Sequence, residues 1–267
     1  RQARNSRAEF MAAMAALIHR YQGQIAGVGL ALPGVVNQQQ GIVKTCAALP
    51  FLETMPLAAR LKDAAHLNIP VVIGNDGNAA ALAEHWQGKL AGTINSAMIV
   101  LGTGVGAALF LNGTLYTGSH DVSGEPSFMI TNGLNPITRA QTAAGLSAVK
   151  TVNAMAAAQH IRGHNLGPRV FKALKPDTPA AAILATFTQG VAAMIYNIQT
   201  VLDLEKIVIG GGISVQSRVI DEIRARVATY LQVTPLAART IKLPEIVAAK
   251  YRNDANLVGA VVPLVAR

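Results

Sequence analysis

The chain has 267 residues, 51% of them hydrophobic and 14% charged, with a net charge of +9 and one cysteine, Cys46. That size and apolar content give a core for one large or two modest lobes and exclude a disordered chain, while a single cysteine excludes a disulfide framework and a thiolate zinc cluster. Uninterrupted apolar runs such as 257–266 are about half of the roughly 20 residues a membrane span needs, and no segment has the order of a secretory leader, so no membrane partner is expected and the location expected is cytoplasmic. The positive charge is scattered apart from Arg1, Arg4 and Arg7, a pattern that favours phosphorylated small molecules over nucleic acid.

The chain opens on a helical pattern (Ala8, Met11, Ala12, Met14, Ala15, Ile18). Residues 25–32 are apolar and closed by Pro33-Gly34, which predicts a buried strand and a turn. A helix is predicted over 56–65, a strand over 70–74 and a helix over 78–87, with Asn75-Asp76 at the carboxyl end of the strand. Strands follow at 97–101 and 107–111, and Asn112-Gly113 predicts a hairpin into Leu115-Tyr116. Residues 117–142 read as irregular. Residues 143–161 and 179–202 are Ala-rich and helical, the second apolar on more than one face and so buried. A strand at 206–209 runs into Gly210-Gly211-Gly212, then a helix at 218–231, a strand at 246–249 and a helix at 253–266. Alternating strands and helices indicate an α/β fold, and the hairpin argues against a purely parallel sheet.

Four places carry chemistry. Asp76 lies at the strand edge where ligands collect in open α/β sheets; it reads as a general base for a hydroxyl, or as a cap of the following helix. Leu101-Gly102-Thr103-Gly104-Val105-Gly106-Ala107 strips side chains from a turn, which suits an anion approached by backbone N–H groups, or a plain Gly-rich hairpin or bulge. It matches neither the dinucleotide fingerprint nor a P-loop. Gly210, Gly211 and Gly212 read as close backbone approach to a ligand or as a connector. Glu125, within Gly124-Glu125-Pro126-Ser127-Phe128, could accept hydrogen bonds from sugar hydroxyls or be a solvated loop charge. Two weaker patterns are Ser119-His120-Asp121, whose adjacent residues diverge too far for a catalytic relay, and His160 with His164, four apart as a helical metal pair would be, without a third ligand.

Taken in order, these segments resemble the ROK family of sugar kinases and sugar-responsive repressors. The matching runs are Gly29-Leu30-Ala31-Leu32-Pro33-Gly34, then Gly74-Asn75-Asp76-Gly77-Asn78-Ala79-Ala80-Ala81-Leu82-Ala83-Glu84, the glycine run at 101–107, Gly124-Glu125, Ile209-Gly210-Gly211-Gly212-Ile213-Ser214 and Asn253-Asp254-Ala255-Asn256. The resemblance implies the actin-like ATPase (ribonuclease H-like) fold, mixed sheets flanked by helices in two lobes with a cleft between them. The lobes are expected at 1–92, joined by the C-terminal helix 253–267 folding back, and at 93–252. It implies that ATP phosphates meet Gly102, Thr103, Gly104 and Gly106, that the adenosine meets Gly210, Gly211 and Gly212, and that Mg²⁺ bridges the phosphates. Asp76 would be the catalytic base, Asn75 and Glu125 would hold sugar hydroxyls, and Gly34 would line the sugar pocket. A homodimer is implied by the family as well.

Three departures from the family pattern shape the expectation. The N-terminal phosphate motif Asp-x-Gly-Gly-Thr, which belongs on a strand before the first helix, is absent; the expectation is a fold incomplete at the N-terminus by truncation. The family's Glu-x-Gly-His ends here in Phe128 and its Cys-rich zinc motif is missing, so no zinc is expected. The second sugar-contacting glutamate would fall near Ala140. With Phe128 beside the anomeric carbon, the expected substrate is a hexose, β-glucosides included, phosphorylated at O6; plain glucose, fructose or an N-acyl hexosamine is the rival. The alternatives to an ATP-dependent sugar kinase are a non-catalytic sugar-sensing regulator and a kinase-dead homologue.

Overall fold

A computed structural model describes residues 6–131 and 142–266. The chain divides into two compact units, one of Arg1–Gln87, Thr117–Val122 and Asp254–Arg267, the other of Gly88–Tyr116 and Ser123–Asn253. The division expected at 92/93 falls at Gln87/Gly88, and Thr117–Val122 return to the first unit.

In the first unit, α1 (Arg7–His19) is capped by Ser6, whose Oγ accepts from the Glu9 N–H. β1 (Val28–Leu32) starts three residues later than the apolar run at 25 suggests, because Ile25 packs with Ile18, Ala65 and Leu67 instead. β2 (Val35–Asn37) and β3 (Ile42–Thr45) form an antiparallel hairpin that the polar run Asn37-Gln38-Gln39-Gln40 hides in the sequence. After α2 (Leu57–Ala64), β4 (Val71–Asn75) pairs in parallel with β1 from Val28↔Val71 to Leu32↔Asn75. α3 (Asp76–Gln87) follows without a loop. Phe10, Leu32, Val36, Val43, Leu52, Leu57, Leu61 and Ile73 fill the core between these elements.

The second unit holds β5 (Ser96–Leu101), β6 (Val105–Leu111) and β7 (Thr114–Tyr116). Asn112 and Gly113 turn the β6–β7 hairpin with φ of 54° and 73°, the positive pair that this dipeptide supplies most readily. The expected helix over 143–161 is instead a single 3₁₀ turn, Ala143–Gly145, and α4 (Ala148–Ala158), which starts where the Ser147 Oγ accepts from the Lys150 N–H. α5 (Leu166–Ala173) was not expected. α6 (Pro179–Leu202), β8 (Lys206–Gly210), α7 (Ser217–Tyr230), a short α8 (Pro235–Thr240) and β9 (Glu245–Ala248) complete it.

The sheet order is β7-β6-β5-β8-β9, with β5, β8 and β9 parallel and the β5–β6 and β6–β7 pairs antiparallel. By length and composition the 24-residue α6 could cross a membrane. Its Leu184, Phe187, Val191 and Ile195 are buried in the core of this unit with Ile99, Ile207 and Val219, the placement of a core helix.

The chain then returns to the first unit. α9 (Ala255–Val265) packs on α3 and β1. A Cβ added at Gly259 would collide with the Ala79 carbonyl of α3, and one at Gly29 of β1 with the Ala260 carbonyl of α9. Residues 117–122 also belong to this unit, where Lys44 Nζ meets Asp121 Oδ2 at 2.6 Å and Asn37 Nδ2 donates to the same oxygen at 3.1 Å. Asp121 of the Ser119-His120-Asp121 run is therefore occupied in holding a loop to the β2–β3 hairpin. The Ala140 position lies outside the described residues.

Because the Gly259 contact is backbone against backbone, no rotamer change relieves it. Gly259→Ala is expected to cost about 1–3 kcal/mol or more and to lower Tm by several degrees in a circular-dichroism melt. Gly212→Ala, where an added Cβ meets nothing within 4 Å, should leave Tm within about 2 °C of wild type.

Candidate active site

The parallel pairing of β4 ends at Asn75, and Asp76 opens α3 at once. The two side chains divide the work there. Asn75 Oδ1 accepts from the Asn78 N–H at 3.0 Å and so satisfies a first-turn amide of the helix, while its Nδ2 donates to the Gly34 carbonyl at 2.9 Å. Gly34 is fixed in turn by the fold: its φ is 98° and a Cβ would collide with the Thr45 carbonyl. With capping done by Asn75, Asp76 accepts from the adjacent Gly77 N–H, at 2.9 Å, and from its own amide. No cation pairs with it among the described residues.

Asp76 is half-buried. Burial raises its pKa above the ordinary aspartate value, outweighing the two amide donors that pull it down. A desolvated carboxylate at the carboxyl edge of a strand, with no counter-ion among the described residues, has the environment in which general bases are found.

In the second unit, Gly102, Thr103 and Gly104 turn β5 into β6, with the Gly102 N–H donating to the Gly104 carbonyl at 2.9 Å and Leu101 opposite Val105. The hairpin reading of this run is thus correct as geometry. The glycines themselves ask for more. None of Gly102, Gly104 and Gly106 has a left-handed φ. An added Cβ would meet nothing closer than 4.0 Å at Gly102, only Ser127 Oγ at 3.5 Å at Gly104, and nothing at Gly106. The fold does not require glycine at these positions, so their effect is to leave a bare backbone edge with the Thr103 hydroxyl exposed beside it.

Gly211 differs: its φ is 90° and a Cβ would collide with the Leu101 carbonyl, and at Gly210 one would press on Met98 Cε at 2.5 Å. Those two glycines serve the packing of β8 on β5. Gly212 is open, and with Gly102 it lines one cavity of about 590 Å³ walled also by Asn153, His164, Phe171 and Gln216. The structure thus brings one glycine of each run to a single cavity in this unit.

α5, which supplies Leu166, Pro168 and Phe171 to that wall, was missed because its short apolar run carries Gly167 and Pro168 near the start. The helical His160–His164 pair does not exist: α4 ends at Ala158 and His160 sits at φ 55° beyond it. Among the described residues no group of three or more His, Cys, Asp or Glu could hold a metal.

Glu125 is exposed on a loop fastened to β6 on both sides. Gly124, with φ 85°, accepts from the Ala107 N–H at 2.8 Å, and Ser127 Oγ bonds Val105. Phe128 closes the short 3₁₀ turn Pro126–Phe128 and stands 78% exposed, outside the core.

The fold is the actin-like ATPase fold of the structures this chain superposes on. A ROK family protein from Streptococcus pneumoniae TIGR4, solved in complex with sucrose, superposes with a TM-score of 0.82 at 25% identity, over 98% of this chain and 87% of that one. The chain belongs to the ROK family, whose model matches residues 1–266. It is 27% identical over 242 residues to a beta-glucoside kinase of Listeria innocua, covering 89% of this chain and 78% of that protein. It is 29% identical over 252 residues to an N-acetylmannosamine kinase of Haemophilus influenzae, covering 93% and 80%.

The raised pKa has a consequence for stability. Between the ordinary aspartate pKa, about 3.9, and the raised native value, the native state binds more protons than the unfolded one. Stability therefore falls as pH rises through that window, and the penalty is complete above it. Asp76→Asn keeps an acceptor for the Gly77 N–H and removes the charge. Its Tm should exceed that of wild type at pH 7, and the difference should close below about pH 4.

Proposed function

We propose that the protein is an ATP-dependent sugar kinase in which Asp76 takes the proton from the sugar hydroxyl that receives the γ-phosphate. The observation that carries this is the desolvated Asp76 carboxylate, released from helix capping by Asn75 and without a cationic partner among the described residues. Kinase names among its relatives, beta-glucoside kinase and N-acetylmannosamine kinase, support the reaction class.

Each remaining part has its own support. Asn75 has one N–H left after bonding Gly34, and this is a donor for a sugar hydroxyl. Glu125 accepts from another hydroxyl, and the Gly34 turn lines the pocket. The bare edge formed by Gly102, Thr103, Gly104 and Gly106 suits phosphate oxygens. The cavity at Gly212, of a size that suits a nucleoside, takes the adenosine, with Gly210 and Gly211 leading into it from β8. With no carboxylate cluster among the described residues to hold a metal alone, Mg²⁺ would be held chiefly by the phosphates, where it would neutralise charge. The protein's own residues position the hydroxyl, accept its proton at Asp76 and offer amides to the phosphates. A cytoplasmic location and a homodimer complete the reading, the first supported by the lone buried thiol of Cys46 and the second by the family resemblance.

For the substrate, the proposal is a hexose phosphorylated at O6, β-glucosides included. Phe128 in place of a hydrogen-bonding residue favours an apolar or substituted anomeric position. A coupled ADP-release assay over glucose, fructose, N-acyl hexosamines and β-glucosides tests it. Turnover of a β-glucoside to its 6-phosphate is expected, and turnover of free hexoses alone would overturn the preference. Sugar binding without any turnover would favour the non-catalytic sensor.

Asp76→Asn should lower kcat by about 10²–10⁴-fold with little change in sugar KM. In wild type, kcat/KM should fall as pH drops through the raised Asp76 pKa, because the base is then protonated. Gly106→Ala should raise the KM for ATP while leaving Tm unchanged, since its Cβ meets nothing in the free protein.

A further inference from the structure

In an antiparallel strand the N–H and C=O groups of residues two apart point to the same edge. Val105 and Ala107 are such a pair on β6. β7 covers that edge only from Leu109 to Leu111. Beyond it, the loop carrying Glu125 takes the place of a strand. The Gly124 carbonyl accepts from the Ala107 N–H at 2.8 Å. Ser127 Oγ accepts from the Val105 N–H at 3.1 Å and donates to the Val105 carbonyl at 2.6 Å. One hydroxyl thus satisfies both backbone groups of a residue only 3% exposed. Val105 is also where the glycine hairpin closes, opposite Leu101.

We infer that Ser127 is a positioning residue for phosphoryl transfer: through Val105 it locks the glycine turn 102–106 to the loop that carries Glu125. The inference rests on the reading that the turn holds phosphates and Glu125 a sugar hydroxyl. Glycines have no side chains with which to lock their own conformation, and a Cβ built at Gly104 would meet Ser127 Oγ at 3.5 Å and, chain neighbours aside, nothing else within 4 Å. Without the hydroxyl, Gly124 still fastens one end of the loop to Ala107, so the fold persists while the turn and the carboxylate move independently. Misalignment between phosphate and acceptor enters the rate directly, because alignment is most of what this chemistry asks of the protein.

The test is steady-state kinetics with ATP and the best hexose substrate, with thermal melts, on full-chain Ser127→Ala, Ser127→Cys, Ser127→Thr and Glu125→Gln. Cysteine is nearly isosteric but a weak hydrogen-bonding group, so it tests the bond even if the alanine variant folds poorly. The alanine and cysteine variants should lose about ten- to a hundredfold in kcat and show raised KM for both ATP and sugar. Threonine, which keeps the hydroxyl, should restore most of that loss. A purely structural serine would move Tm and leave kcat and both KM values at wild type, and that result overturns the inference. Equal behaviour of cysteine and threonine overturns it too. Glu125→Gln separates the two levels: if it raises the sugar KM while the Ser127 variants are silent, only the inference fails. If Glu125→Gln is silent as well, the assignment of the loop to sugar falls with it.

Discussion

The first unit depends on an approach of backbone to backbone. α9 lies so close to α3 at Gly259 and to β1 at Gly29 that neither position has room for a methyl group. Two glycines therefore weld a helix and a strand to the same third element. α3 starts at Asp76 and grows directly out of β4, which is paired to β1 along its whole length. The direction of the Asp76 carboxylate is inherited from that three-element junction and not from a loop. Residues placed on joined regular elements are held more tightly than residues on loops, and the proton transfer proposed for Asp76 is a task in which small errors are costly.

The charge on Asp76 is governed by opposing effects. A helix N-terminus and two amide donors favour the anion, and desolvation disfavours it. Desolvation prevails. The site thus keeps a carboxylate less comfortable than it would be in water, the condition in which it gains most from taking a proton. Asn75 makes this arrangement possible by supplying the cap that Asp76 would otherwise provide.

Much of the scaffold is written locally. The apolar run after Pro70, the Asn112-Gly113 turn and the Thr178-Pro179 start of α6 are each readable within a few residues, because each depends on local dihedral preferences or capping. The β2–β3 hairpin escaped because its strands are three and four residues long and separated by glutamines. α5 escaped because glycine and proline near its start read as loop. At the site, Asp76 and the glycine run stood out as residue types in order. The capping by Asn75 and the Ser127 bridge to Val105 did not, since both are decided by partners, one across a turn and one 22 residues away. The distinction between Gly102, Gly104 and Gly106, which the fold does not need, and Gly34, Gly124 and Gly211, which it does, is also invisible in sequence. It depends on what a side chain would strike.

The return of α9 has a bearing on how the molecule is made. The first unit takes its buried Ala255, Gly259 and Val262 from a helix that leaves the ribosome after the whole second unit has emerged. The second unit, contiguous but for 117–122, has its sheet and central helix available earlier. Domains tend to fold as units during synthesis, beginning from the N-terminal side. Here that order is reversed: the unit translated first must wait, its β1 and α3 surfaces uncovered, for the segment that closes it. α3, which Asp76 opens, is consequently covered late, after α9 has emerged.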